Sequence, residues 1–256
     1  MLYYIKSNDL RINKHRERKE LNFKKLNYEK IINYFVLISL TLTVVFLVWA
    51  IIVAPSVINP NDPFERTKND YVLMLTQCTL GVVAMFLPGL FERKFKIEIP
   101  SNMLILYTLF LYCAIYLGEV KSFYYHVPHW DTILHTFSGF MLGALGFSFV
   151  TLLNKTEVVP INLSPLFVVI FSFCFAVTLG VFWEIYEFAF DGMLGLNMQK
   201  FALEGGVDLV GRSAVIDTMK DLIVDSLGAL LMSIIGYISL IYKKGWVEKL
   251  QVKKIR

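Results

Sequence analysis

Apolar residues form six long runs separated by shorter polar segments along the 256-residue chain. A helix of roughly 20 apolar residues crosses the hydrocarbon core of a bilayer, and each run reaches that length. The strict alternation of apolar and polar residues that a membrane β-barrel needs is absent, so the runs are interpreted as helices. The pattern predicts six transmembrane helices, over about 32–53, 71–91, 102–120, 130–153, 164–190 and 221–242.

The overall composition agrees with this interpretation. Apolar residues make up 56% of the chain and charged residues only 18%, against about 45–50% and about 25% in soluble domains. We therefore expect an all-α polytopic membrane protein, and we exclude a soluble enzyme and a disordered protein. The three cysteines lie inside apolar runs without a CxxC pair, which argues against a disulfide framework or a zinc knuckle.

Basic residues are distributed unequally between the two sides of the predicted membrane domain. Nineteen of the 25 lysines and arginines lie in the two terminal segments and in the second and fourth connections, and six lie in the other connections. Connections rich in lysine and arginine stay in the cytoplasm, so a multi-pass plasma (inner) membrane protein with both termini cytoplasmic is predicted. The predicted organisation is a basic arm over 1–31, a six-helix transmembrane domain over 32–242 and a basic tail over 243–256.

The basic arm over 1–31 bears on the partners of the chain. Basic segments next to a membrane span commonly contact anionic lipid headgroups, and the arm contains no pattern of a nucleic-acid-binding fold. Membrane lipids, and with them a lipid-linked substrate, are therefore the expected partners, and nucleic acid is not.

Ionisable residues within the predicted spans are concentrated in the last three. Burying such a group in the bilayer costs about 2.5–3.5 kcal/mol, so each one calls for a functional hypothesis. Residues three, four or seven apart share one face of a helix, and each of these spans begins or ends with such a set. The sets are Asp131, His135 and Ser138; Glu184, Glu187 and Asp191; and Asp217, Asp221 and Asp225.

These sets are predicted to lie at one depth in the membrane. With the predicted orientation and a rise of about 1.5 Å per residue, His135, Glu184, Glu187 and Asp225 lie roughly 5–9 Å below the outer boundary. Three helices thus bring carboxylates and an imidazole to one level, which predicts a polar pocket open to the outer face. The long, glycine-containing connection over 191–220 is predicted to include a short re-entrant or interfacial piece.

Carboxylates and imidazole together suit a divalent cation such as Zn²⁺, Mn²⁺, Mg²⁺ or Ca²⁺. The predicted metal ligands are Asp131, His135, Asp221 and Asp225. A metal with an open coordination position polarises a phosphoryl or carbonyl oxygen and activates water, and Glu184 or Glu187 is the predicted catalytic base. His129 and Asp217 are expected elsewhere in the polar pocket. No other cofactor is predicted.

Several of these residues also have structural explanations. The aromatic residues before the fourth span are typical of the belt that anchors helices at a membrane interface, and His129 fits that role equally well. Asp131 and His135 can simply hydrogen-bond each other, and Asp217 can stabilise a helix N-terminus. A Ser–His–Asp hydrolase is the least favoured alternative, because Ser138 lies on the same helix as His135 and is expected to bond to its backbone.

Three motifs in the last three spans are similar to those of a known family. They are His-Trp-Asp-x3-His-x2-Ser-Gly from His129 to Gly139, Trp-Glu-x2-Glu from Trp183 to Glu187, and Asp-Thr-x2-Asp-x3-Asp-x2-Gly-Ala from Asp217 to Ala229. In this order they resemble uncharacterised bacterial inner-membrane proteins of the YjdF type and, more distantly, VanZ-like membrane proteins linked to glycopeptide resistance. The resemblance covers about 126–230. It implies a shared polar site of undefined activity and supplies no reaction.

Three functional hypotheses follow from the sequence. The leading one is a metal-assisted activity on a lipid or lipid-linked envelope substrate that reaches the pocket from the outer leaflet. A transporter or ion pathway is the second, although no charged residue continues a relay below His135, Glu184 and Asp225 in their spans. The third is a non-catalytic accessory or sensing protein, in which the pocket is a structural metal site or a pH-responsive network. Whether the protein is an enzyme stays open.

Overall fold

The computed structural model describes residues 2–56, 66–154, 163–203, 207–242, 244–247 and 250–254, and these are almost entirely helical. The helices are α1 (Leu2–Val53), α2 (Lys68–Phe95), α3 (Ser101–Leu111), α4 (Phe123–His126), α5 (Trp130–Asn154), α6 (Pro165–Leu194) and α7 (Arg212–Ile241). Helix α3 continues directly as a π-helix over Tyr112–Val120. The strands β1 (Ile97–Glu98) and β2 (Lys253–Lys254) form a short antiparallel pair.

Six of the described helices are long and apolar enough to cross a membrane, which confirms the predicted six-span, all-α architecture. The candidate span in α1 is Tyr28–Val53, and the helix extends on its N-terminal side to Leu2, so the predicted arm and the first span share one helix. The largest difference is at α7, which begins at Arg212 although the sequence placed the last span from about 221. Polar residues lower the hydropathy there without interrupting the helix.

The early start of α7 changes the environment of Asp217. This residue lies in the second turn of α7 and not in front of the helix, because Gly211 is the N-cap. The explanation of Asp217 as a charge at a helix N-terminus therefore does not apply. The predicted connection over 191–220 correspondingly ends at Gly211, and its residues 204–206 lie outside the described part of the chain.

The helices form two groups, each with its own apolar core. In the first group, α1 packs against α2 and α3 around the fully buried Leu40, Leu47 and Cys78. In the second group, α5, α6 and α7 pack against one another around Phe147 and Met232. The π-helix connects the groups by packing against α5. Residues from both groups line a cavity between them.

Helices α5 and α7 cross at two glycines, Gly139 and Gly228. A Cβ atom added at Gly139 would overlap the backbone carbonyl of Asp225, and one added at Gly228 would overlap that of Thr136. Small residues allow two membrane helices to approach this closely. The crossing brings the side chain of His135 on α5 within 3.2 Å of Asp225 on α7.

The described part of the C-terminal segment folds back against α5. Val247 and Val252 are buried. The Ser148 hydroxyl lies 3.1 Å from the Leu250 carbonyl oxygen and accepts a hydrogen bond from the Val252 amide at 3.3 Å. Strand β2 then pairs with β1, which directly follows α2. In the residues described, the predicted basic tail over 243–256 is therefore packed against the bundle.

We expect Gly139→Ala and Gly228→Ala each to lower the free energy of unfolding by about 1–3 kcal/mol, because the added methyl group forces α5 and α7 apart. Thermal unfolding of the detergent-purified protein measures this effect. Gly89→Ala in α2 is the matched control, since nothing lies within 4 Å of an added Cβ atom there. An unfolding temperature of Gly139→Ala equal to that of the control would contradict the close crossing.

Candidate functional site

A cavity of about 420 Å³ lies between the two groups of helices. Its polar end is lined by Glu119, Asp131, His135, Glu187, Lys200, Asp217, Asp221 and Asp225. Its other end is lined mainly by apolar residues of α2, α3 and α5, including Leu87, Phe110 and Met141. The cavity therefore offers charged groups at one end and a hydrocarbon-like surface at the other.

His135 occupies the centre of the polar end, with one aspartate of α5 and two of α7 around its ring. Its Nδ1 atom is 3.2 Å from Oδ2 of Asp225. Its Nε2 atom is 3.7 Å from Oδ1 of Asp131 and 3.9 Å from Oδ2 of Asp221. The two ring nitrogens thus face different carboxylates, which gives the three aspartates different parts in the site.

Asp225 orients the imidazole of His135. Because an ionised carboxylate only accepts hydrogen bonds, this contact places a ring proton on Nδ1, which donates to Oδ2 of Asp225. The other oxygen, Oδ1, accepts from the Ser138 hydroxyl at 2.5 Å. The Ser138 hydroxyl contacts this carboxylate and, at 2.8 Å, the backbone carbonyl of His135, as expected from the sequence. No serine in the described residues contacts the His135 ring, as the serine of a Ser–His–Asp hydrolase does.

A glycine on α6 leaves room for the Asp225 carboxylate. A Cβ atom added at Gly180 would lie 3.1 Å from Oδ2 of Asp225, closer than an ordinary van der Waals contact. Asp225 is itself only 4% exposed. Three helices therefore meet around this one carboxylate.

Three potential metal ligands form a compact set: Nε2 of His135 and one oxygen each of Asp131 and Asp221. These atoms all lie within 4.8 Å of one another. Zn²⁺ binds such ligands at about 2.0–2.2 Å, so the atoms need to move together only slightly to coordinate one ion. A metal-bound histidine usually donates its other ring N–H to a carboxylate, and Asp225 already accepts that hydrogen bond. The donor set therefore fits a divalent cation.

The other residues that the sequence placed in the site have varied surroundings. Glu187 and Asp217 line the cavity, and neither makes a hydrogen bond or ion pair with a described residue. Glu184 is buried but does not belong to the cavity lining. His129 is exposed just before α5, in a left-handed conformation with φ of 61°, and also lies outside the lining.

Glu184 is a buried carboxylate beside the site. It is 5% exposed, and neither of its side-chain oxygens has a partner at hydrogen-bond geometry among the described residues. The Thr218 hydroxyl is close enough to interact with Glu184, and it accepts a hydrogen bond from Nε2 of Gln199 at 2.9 Å. Glu184 also interacts electrostatically with His135 and Asp225. It therefore belongs to the electrostatic surroundings of the site, although it does not reach the cavity.

Lys200 is a cation of the cavity that the sequence analysis did not single out. Its Nζ atom is 3.3 Å from Oε2 of Glu119 and lies over the rings of Tyr124 and Tyr125, 5.2 and 5.0 Å from their centroids. Burial is the largest single influence on the pKa of Lys200 and alone would lower it, but the charges of Glu119, Tyr125 and Glu187 together outweigh burial and the pKa is raised. Lys200 is therefore positively charged at the cavity throughout the physiological pH range.

The fold of the segment after α6 places Lys200 at the cavity. Asp191, in the last turn of α6, accepts hydrogen bonds from the backbone amides of residues 198 and 199, at 2.7 and 2.9 Å. Gly195 ends the helix with φ of 65°, a conformation that glycine adopts without strain. Apolar side chains of this segment are buried against Leu73 of α2. Asp191 thus holds the segment that carries Lys200.

The π-helical end of the third span positions Glu119. The indole N–H of Trp130 donates to the Cys113 carbonyl at 3.3 Å, which ties the start of α5 to the π-helix. The Tyr124 ring packs on Gly118, where an added Cβ atom would overlap the ring. Glu119, the partner of Lys200, therefore lies in a segment that is fixed both by the hydrogen bond from Trp130 and by the packing of the Tyr124 ring.

Fold and site together define a six-helix, multi-pass membrane protein with a polar cavity between two helix groups. Residues 36–241 match the family described as "Predicted membrane protein (DUF2238)". The chain belongs to this family, which confirms the resemblance to proteins of the YjdF type. It is 30% identical over 154 residues to an uncharacterized protein of Thermotoga maritima, a match that covers 59% of this chain and 70% of that protein. No solved structure matches the chain.

We expect Lys200→Gln to lower the free energy of unfolding by about 3 kcal/mol, because it leaves the Glu119 carboxylate buried without its cation. The double variant Lys200→Gln, Glu119→Gln recovers most of that loss, since both charges are removed. Unfolding in detergent measures the effect. Lys121→Gln is the matched control, because Lys121 is exposed and lies 5.7 Å over the Tyr116 ring. A double variant no more stable than the single one would contradict the pair.

Proposed function

We propose that this protein binds one divalent metal ion at Asp131, His135 and Asp221 and uses it to act on a lipid or lipid-linked substrate held in the cavity. The observation that carries the proposal is the position of the three ligand atoms. They lie within 4.8 Å of one another, at the polar end of a cavity whose other end is apolar. The bound metal ion would therefore lie next to the substrate in the cavity.

The donor set supports a catalytic type of metal site. Two carboxylate oxygens and one imidazole nitrogen suit Zn²⁺ or Mn²⁺. Three protein ligands leave a coordination position open for water or for a substrate oxygen. The bound ion would polarise a phosphoryl or carbonyl oxygen and activate water. Asp225 would keep the imidazole of His135 directed at the ion.

The shape of the cavity supports an amphiphilic substrate. On α2 its lining extends from Gln77 to Leu87, a distance of roughly 15 Å at about 1.5 Å per residue. Met141 continues the apolar wall on α5. Within the described lining, Tyr107 is the titratable residue at the apolar end, and no carboxylate continues the polar cluster. This favours a hydrocarbon chain over the relay of charged groups that an ion pathway needs.

The proposed location is the plasma membrane, with both termini in the cytoplasm and the polar end of the cavity at the outer face. The distribution of lysine and arginine supports this orientation. The polar end is built from the start of α5, the end of α6 and the start of α7. The substrate would then enter from the outer leaflet.

We expect detergent-purified protein to hold close to one divalent ion per chain, measured by inductively coupled plasma mass spectrometry. The double variant Asp131→Asn, Asp221→Asn loses the ion because two of three ligands are removed. Asp225→Asn keeps the ligands but weakens metal affinity about 10–100-fold, since the imidazole loses its hydrogen-bonded carboxylate. Asp208→Asn is the matched control, because Asp208 is exposed and lies outside the cavity lining.

Two results decide between the functional hypotheses. Metal at background level in the wild type, even after supplementation with Zn²⁺ or Mn²⁺, contradicts the proposed site. Bound metal that is essential for folding, together with no turnover of added phospholipid or lipid-linked substrate, contradicts the enzymatic part and favours the accessory or sensing alternative.

A further inference from the structure

At the polar end of the cavity, the carboxylates outnumber the partners that the proposed metal ion and the basic side chains of this end can supply. Among the described residues, six carboxylates line this end, against one lysine and one histidine. Two of the six are the proposed metal ligands, one accepts from His135 and Ser138, and one pairs with Lys200. The two that remain are Glu187 and Asp217.

Glu187 is a buried carboxylate without a partner that faces the cavity. It is 8% exposed, it belongs to the lining, and it makes no hydrogen bond or ion pair with any described residue. Lys200 acts on it electrostatically, and among the described residues the carboxylate that its ammonium contacts is that of Glu119. Removing a carboxylate from water without a partner is costly. A group that enters the cavity would supply the missing partner.

The surroundings of Glu187 suit a positively charged organic group. Asp217 on α7 faces the same end of the cavity, also without a hydrogen-bond partner in the described part of the chain. Trp183, four residues before Glu187 on α6, lines the cavity as well. Carboxylates bind ammonium groups by charge-assisted hydrogen bonds, and an indole ring attracts a cation over its face. In the described residues, the compact set of metal-ligand atoms lies instead around His135.

We infer that Glu187 and Asp217 bind a protonated amine in the headgroup of the lipid that occupies the cavity, with Trp183 packed against it. This inference rests on the proposed function for the amphiphilic occupant and adds its chemical class. The occupant is a long-chain lipid whose ammonium group lies near the oxygen that the metal would polarise. Glu187 then binds substrate, in place of the catalytic-base role that the sequence predicted for it.

The test compares lipids that share acyl chains and differ in the headgroup. Full-length protein in detergent is titrated with phosphatidylethanolamine, its N-acetylated form and phosphatidylglycerol, and bound lipid is measured by native mass spectrometry. A hydrogen bond to a charged group contributes about 1.5–3 kcal/mol, so we expect the free amine to bind about tenfold more tightly than the acetylated form. A long-chain alkylamine separates recognition of the ammonium alone from recognition of ammonium and phosphate together.

Variants of Glu187 test whether its carboxylate causes the preference for the free amine. Glu187→Gln is expected to remove the preference for the free amine while the affinity for phosphatidylglycerol stays the same, and Glu187→Asp is expected to restore part of it. Glu98→Gln is the matched control, because Glu98 is exposed on β1 and lies outside the lining. Unfolding temperature and metal content are measured on each preparation.

The outcomes separate this inference from the proposed function. Equal loss of all lipids in Glu187→Gln overturns the inference, as does lost turnover with an intact amine preference, which is the result expected of a catalytic base. Metal-free wild-type protein with a Glu187-dependent preference contradicts the metal proposal and supports the inference. Metal-loaded protein without any amine preference contradicts the inference alone.

Discussion

The burial of the Asp225 carboxylate among three helices is the constraint on which the site depends. Its two oxygens contact Nδ1 of His135 at 3.2 Å and the hydroxyl of Ser138 at 2.5 Å, and α6 makes space for them at Gly180. Burying a carboxylate inside a membrane domain is costly, and these two hydrogen bonds offset that cost for Asp225. The orientation of the imidazole therefore depends on how closely α5, α6 and α7 pack. Small residues where the helices meet make that close packing possible.

The two helix groups contribute unequally to the cavity. Helices α5, α6 and α7 supply most of the polar lining, whereas α2 and α3 supply mainly an apolar wall together with Glu119 at the end of the π-helix. An apolar wall needs only side chains of suitable size, and many sequences satisfy that requirement. This explains in physical terms why the three motifs lie within 129–229 and why the first three spans carry none.

Length and hydropathy were sufficient to predict the six spans, because a bilayer sets the length of an apolar helix. They misplaced the start of α7, since the polar residues over 217–221 lower hydropathy without breaking backbone hydrogen bonds.

Helical spacing indicated which helix faces carry the ionisable groups. It could not indicate which ring nitrogen of His135 contacts Asp225, because that contact depends on how closely α5 and α7 cross. Lys200 was missed because its place depends on a loop held by Asp191. Acidic residues outnumber basic ones between residues 184 and 225. This excess was the signal in the sequence that could have indicated a buried cation there.

The position of the cavity between two helix groups, with an apolar end, determines how an occupant is supplied. The lipid proposed as the occupant is dissolved in the bilayer, and it would reach the cavity from the leaflet and not from water. Its effective concentration is then its mole fraction in the leaflet, and exchange depends on lateral diffusion between helices. In micelles, added detergent would dilute this two-dimensional concentration while the total amount of lipid stays constant. Saturation of the cavity by such a lipid would therefore depend on membrane composition, and aqueous concentrations would not describe it.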